Sequence, residues 1–159
     1  MFLIIIEFII VLYSVVLLQG EVFALRHPEW GPSMGPDATA KILEEAGFPK
    51  PIIRVAVCLA EHESSFRPRT ENINSNATVD YGLMQVNTVW LKSCKTTPEG
   101  LKNPLINAQC ALIVFRSQGL TAWVTFNKYK DKCLKYRVNK YNDEDLKEYH
   151  HIIESHEEL

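Results

Sequence analysis

The chain has 159 residues, of which 47% are hydrophobic and 23% charged, with a formal net charge of −2 and four cysteines. This suits one domain around one core. No Cys-x-x-Cys pair or Cys/His cluster argues for zinc, so no metal, no cofactor and no nucleic-acid partner is expected.

Residues 1–24 are almost all Ile, Leu, Val and Phe, broken by Glu7, and end at Ala24. Such a stretch before a small residue reads as a signal peptide, cut after Ala24 or Gly20. The competing reading is a membrane anchor, since the run is long and carries no basic head. Residues 25–36 hold Pro28, Gly31, Pro32 and Pro36 and form an N-terminal arm. The folded domain is expected over 37–142, followed by an acidic tail over 143–159.

Helix signals begin near Asp37, with Ile42, Leu43 and Ala46 on one side and Gly47 as the stop. A second helix starts near Pro51 or Ile52, where proline suits a first turn, runs to about Phe66, and is ended by Pro68. Along it Ile53, Ala56, Val57 and Ala60 recur at helical spacing, and Glu63 falls next on that apolar face.

From Glu71 to Asn87 the helical period disappears. Asn74-Ser-Asn76-Ala is turn-like, and Val79, Tyr81, Leu83 and Gln85 alternate as a short strand, which predicts a hairpin subdomain. Gly82 suits a tight bend or a close approach of backbone to ligand. Asp80 stands in this segment behind Asn72, Asn74, Ser75, Asn76 and Thr78. Residues 88–104 show little periodicity. A third helix follows through Ile106, Cys110 and Ile113 or Val114 to Gln118-Gly119, then a short one over Leu120–Phe126 carrying Trp123. The tail holds seven acidic residues against one lysine, with His150, His151 and His156, and reads as a solvated end. Residues 25–142 carry sixteen basic against ten acidic side chains, a body that anionic surfaces attract.

Glu63 and Asp80 form an asymmetric pair. A carboxylic acid in apolar surroundings keeps its proton near neutral pH and can protonate a leaving oxygen. A carboxylate among hydrogen-bond donors stays charged and can attack or stabilise an oxocarbenium ion. That is the division of labour in glycoside hydrolysis, although a glutamate and an aspartate occur together in many unrelated chains. An even number of cysteines in an exported chain favours two disulfides, and spacing alone leaves three pairings open. Asn76-Ala77-Thr78 is an N-glycosylation sequon, so Asn76 is a candidate glycan site.

Specific motifs sharpen this picture. His62-Glu-Ser-Ser-Phe66, Asn72-Ile-Asn74 and Asp80-Tyr-Gly-Leu-Met-Gln85-Val-Asn87 resemble the central block of the c-type (chicken-type) lysozymes, glycoside hydrolases of the lysozyme-like superfamily. The resemblance spans roughly residues 35–135. It implies an α+β fold, with a mainly helical lobe, a small antiparallel β-hairpin lobe and a cleft between them. It implies Glu63 as general acid and Asp80 as second carboxylate. Asn72 and Asn74 would hold that aspartate and the sugar, Gln85 and Asn87 would line the cleft floor, Trp123 would stand beside the acid, and Trp90 would stack on sugar. It further implies the disulfides Cys58–Cys133 and, with that pair, Cys94–Cys110.

The function implied is that of a secreted, monomeric, bacteriolytic muramidase. It would cut peptidoglycan between N-acetylmuramic acid and N-acetylglucosamine with retention, and chito-oligosaccharides are a second candidate ligand. The alternatives are a non-catalytic carbohydrate or cell-surface binding protein on this fold, and a lytic transglycosylase-like enzyme, which works with the glutamate alone. Three departures from the family stand out. Four of its usual eight cysteines are missing, Leu91 replaces a second stacking ring, and the acidic tail is additional. Thr96-Thr-Pro-Glu-Gly-Leu-Lys-Asn103 also lacks the aspartate cluster of calcium-binding relatives.

Overall fold

A computed structural model describes residues 30–139. The expected signal peptide at 1–24, the first part of the arm, the end of the 37–142 domain and the acidic tail lie outside these residues.

Helix α1 spans Pro36–Ala46, with proline in its first turn and Gly35 as N-cap. Gly47 closes it in the left-handed region at φ 94°. The Gly47 and Phe48 amides donate back to Glu44 O and Leu43 O, so the last carbonyls stay satisfied. Leu43 and Ala40 bury its inner face.

Helix α2, Lys50–Ser64, is the central post of the molecule: every residue from Pro51 to Ala60 is buried. Even Arg54 is inside, its guanidinium donating to Leu134 O at 2.9 Å. The helix stops two residues earlier than the Pro68 signal predicts. Ser65 and Phe66 both adopt positive φ, 52° and 61°, which turns the chain before proline can act. This reversal puts Phe66 in the core, and its carbonyl accepts from the Met34 amide. Arg67 donates to Gly31 O and Ser33 to Ser65 O, so the near end of the arm lies along this corner.

The β lobe is a three-stranded antiparallel sheet in the order β1 (Glu71–Ile73), β2 (Val79–Tyr81), β3 (Val86–Asn87). Asn72 pairs with Asp80, and Asp80 with Asn87. The alternating run expected to continue to Gln85 breaks after Tyr81. Gly82 turns at φ 78°, Gln85 at φ 48°, and residues 82–85 form a buried corner rather than a strand.

Asn107 explains that corner. It is fully buried; its amide donates to Tyr81 O and Leu101 O and accepts from the Met84 amide. A β-carbon on Gly82 would lie 2.3 Å from the Asn107 amide nitrogen and from Leu101 O. Glycine is therefore required at 82 by the expected tight bend, at φ 78°, and by the close approach of the helical lobe.

The irregular stretch after the sheet contains a 3₁₀ turn (Thr88–Trp90), the short helix α3 (Leu91–Cys94) and a second 3₁₀ turn (Gly100–Lys102). Helix α4, Pro104–Gln118, starts at an Asn103 cap that accepts from the Leu105 and Ile106 amides. Its buried side runs through Ala108, Ala111, Val114 and Phe115, while Ile106 and Ile113 are exposed. The single short helix expected over Leu120–Phe126 is instead a 3₁₀ turn (Leu120–Ala122) and a longer helix, α5 (Val124–Leu134), with Trp123 extended between them. The longer helix carries Phe126 and Cys133 into the core on one face.

Cys58 joins Cys133, tying α2 to α5, and Cys94 joins Cys110, tying α3 to α4. Among the described residues no helix is long and apolar enough to cross a membrane. The fold is α+β, a helical lobe packed on a small antiparallel sheet.

Candidate active site

A cleft of about 570 Å³ opens between the lobes. Its helical wall carries Glu63, Val114, Trp123 and Thr125, and its sheet wall carries Asn74, Asp80 and Asn87. Glu63 and Asp80 are the ionisable groups among the described lining residues.

Glu63 sits in the last turn of α2, where the apolar face that builds the core reaches the cleft. Burial pushes its carboxyl above the ordinary carboxylate range. A hydrogen bond from the Thr125 hydroxyl opposes that shift, and the charge of Asp80 adds to it. Trp123 is buried, and its indole N–H donates to Met84 O at 2.8 Å, pinning the ring into the wall.

Asp80 has contrasting surroundings. Asn74 Nδ2 donates to one carboxylate oxygen at 2.9 Å and Asn87 Nδ2 to the other at 2.7 Å. Asn87 cannot easily turn its amide round, because its Oδ1 caps the following 3₁₀ turn by accepting from the Val89 amide. Both amides also donate to Thr78 Oγ1, at 3.2 and 2.8 Å, and that hydroxyl donates to Asn76 Oδ1 at 2.7 Å. Asp80 is thus gripped by two amides that a threonine holds from behind.

Asn72 is the cross-strand partner of Asp80, yet its exposed side chain makes no hydrogen bond to the carboxylate and lies outside the cleft lining. The grip expected of it comes from Asn87. Gln85 is buried in the cleft floor and donates to Thr70 O and Gly82 O, so it also braces the corner after β2. Its Oε1 is buried with no protein donor. Half-buried Trp90 and exposed Asn76 also line the cleft.

Among the lining residues to which the sequence assigns no role, Thr78 and Thr125 make the hydrogen bonds that bear on the two carboxylates. Thr78 had a usable signal, since it stands two residues before Asp80 and so shares its side of the strand. Thr125 had none: it is 62 positions from Glu63, and only packing of α5 on α2 brings them together. His62, stacked on Tyr129 with ring centroids 3.7 Å apart, belongs to that α2–α5 contact. Among the described residues one cluster has metal-ligand composition, Cys58, His62 and Cys133, and its two sulfurs are bonded to each other.

Residues 40–125 match the family described as "Lysozyme like domain". The chain is 30% identical to the tracheal isozyme of lysozyme C from Bos taurus over 116 residues, 65% of this chain and 77% of that protein. It is 32% identical to lysozyme 2 of Lucilia sericata over 108 residues, covering 60% and 75% of the two chains. Against lysozyme c-1 of Anopheles gambiae it is 33% identical over 93 residues, covering 53% and 66%. With the two-lobed fold and its cleft, these matches show that the chain belongs to the c-type lysozyme family, within the lysozyme-like glycoside hydrolases.

Proposed function

We propose that the protein hydrolyses the β-1,4 bond between N-acetylmuramic acid and N-acetylglucosamine in bacterial peptidoglycan, with retention of configuration. The observation that carries this reading is the contrast between the two carboxyl groups of one cleft. Glu63 is desolvated and favours its proton, while Asp80 accepts hydrogen bonds at both oxygens.

Glu63 protonates the glycosidic oxygen as the bond breaks. The Asp80 carboxylate attacks or stabilises the anomeric carbon, and water then resolves the intermediate while Glu63 takes back a proton. Asn74 and Asn87 keep Asp80 aimed at the sugar. Gln85 lies under the sugar in the cleft floor, and Trp90 and Trp123 give the groove its flat walls.

The relatives are named lysozymes, which supports the same substrate class here, with chito-oligosaccharides as a second ligand. In this reading the chain is exported after loss of residues 1–24, acts extracellularly as a monomer on bacterial walls, and uses the domain 37–142 without a cofactor. The arm at 25–36 and the acidic tail at 143–159 flank it. A glycan on Asn76 would stand at the sheet rim of the cleft.

Proton NMR of the first products from a soluble peptidoglycan oligomer tests the chemistry. A retaining hydrolase releases the β-anomer first. An anhydro-muramyl product would identify a transglycosylase, and tight binding without turnover would identify a lectin-like protein.

A further inference from the structure

Thr125 lies in the first turn of α5, two residues beyond Trp123. Its hydroxyl makes no helix-capping bond; it donates to Glu63 Oε1 across the α2–α5 contact. Both side chains are half-buried in the cleft wall, so water competes weakly for either group.

We propose that Thr125 is a positioning residue that holds the Glu63 carboxyl in one orientation and sets how readily it releases its proton. The inference rests on reading Glu63 as the acid. A hydroxyl donated to a carboxylate stabilises the ionised form. Glu63 must pass into that form when it gives its proton to the leaving oxygen. Burial and the Asp80 charge push the other way and keep the proton on until substrate arrives. Thr125 therefore offsets desolvation at the one moment when desolvation would hinder the reaction.

Among the described residues, Asp80 is the charged group that acts on Glu63 at this contact. From β2 comes Asp80, and the remaining described cleft residues are uncharged. On α2 itself, Glu61 is hydrogen-bonded to Tyr136 and His62 is stacked on Tyr129. Thr125 is thus the neighbour whose replacement changes the balance without adding or removing a charge.

The experiment combines two readouts on wild type, Thr125→Val, Thr125→Ala and Thr125→Ser. The first is a carbon NMR titration of the Glu63 carboxyl in protein labelled at glutamate side chains, with Glu63→Gln assigning the signal. The second is kcat/KM on peptidoglycan against pH. Thr125→Val and Thr125→Ala should raise the Glu63 midpoint and move the alkaline limb of activity to higher pH. Well above the wild-type midpoint they should then retain roughly three- to tenfold more of their own maximal activity than wild type does. Thr125→Ser should track wild type. A Glu63 midpoint unchanged or lowered in both the Val and Ala variants overturns the proposal. Absence of sugar release by wild type would refute the muramidase reading alone, because the NMR titration still decides the role of Thr125.

Discussion

Glu63 and Asp80 show how the same functional group is given two characters by its neighbours. The raised proton affinity of Glu63 follows first from burial, and it has a consequence for stability. A carboxyl whose folded-state pKa lies above its unfolded value favours the fold at pH below the unfolded value. That contribution is lost as pH rises through the folded value. Glu63→Gln should therefore leave the melting temperature unchanged near pH 3 and raise it near pH 8, where the wild type carries a buried charge; a Tm series against pH checks this. At Asp80 the same scale of argument points to Thr78. Thr78→Val frees two amides from their common anchor, so kcat should fall about tenfold or more with little change in Tm. Thr78→Ser should keep both values close to wild type.

The helices show which elements were legible and which were not. Helix α1 could be read at its C-terminal end, since Gly47 acts through backbone geometry that needs no tertiary partner, while Pro36, expected in the arm, is its first residue. The face of α2 that leads to Glu63 was equally visible. Its C-terminus was not, because Ser65 and Phe66 take positive φ to seat Phe66 in the core, and local propensity does not favour that choice. The corner at 82–85 misled for a related reason. Leu83 and Gln85 alternate like strand residues, but all four positions are buried, and Ser64 and Asn107 of the helical lobe hydrogen-bond to Leu83 O and the Met84 amide. Gly82→Ala tests that account: a β-carbon meets Asn107 and Leu101 O, and φ 78° disfavours any L side chain. Urea unfolding should register a loss of about 2 kcal/mol or more.

Across the whole molecule, two disulfides bind the helices that frame the cleft. Cys58–Cys133 closes a span of 75 residues and joins the helix bearing Glu63 to the helix bearing Thr125. The Cys58→Ala, Cys133→Ala double variant should lose about 2–5 kcal/mol, measured by urea unfolding. Much of the candidate site was visible in motif form, because Glu63, Asp80, Asn74 and Asn87 lie in one segment whose residue types suit their tasks. The exchange of Asn72 for Asn87 as the second amide on Asp80 was not visible, since only strand register and the Val89 cap decide which asparagine reaches the carboxylate. Thr125 depended entirely on tertiary packing.

The central claim is that the asymmetric pair Glu63 and Asp80 performs glycoside hydrolysis. The direct measurement is release of reducing sugar from purified peptidoglycan between pH 4 and 8 by oxidised wild type, Glu63→Gln and Asp80→Asn. Activity is expected in wild type, none detectable in Glu63→Gln, and a loss of about a hundredfold or more in Asp80→Asn. Wild-type protein that is folded and oxidised but releases no sugar, or a Glu63→Gln variant as active as wild type, would contradict it.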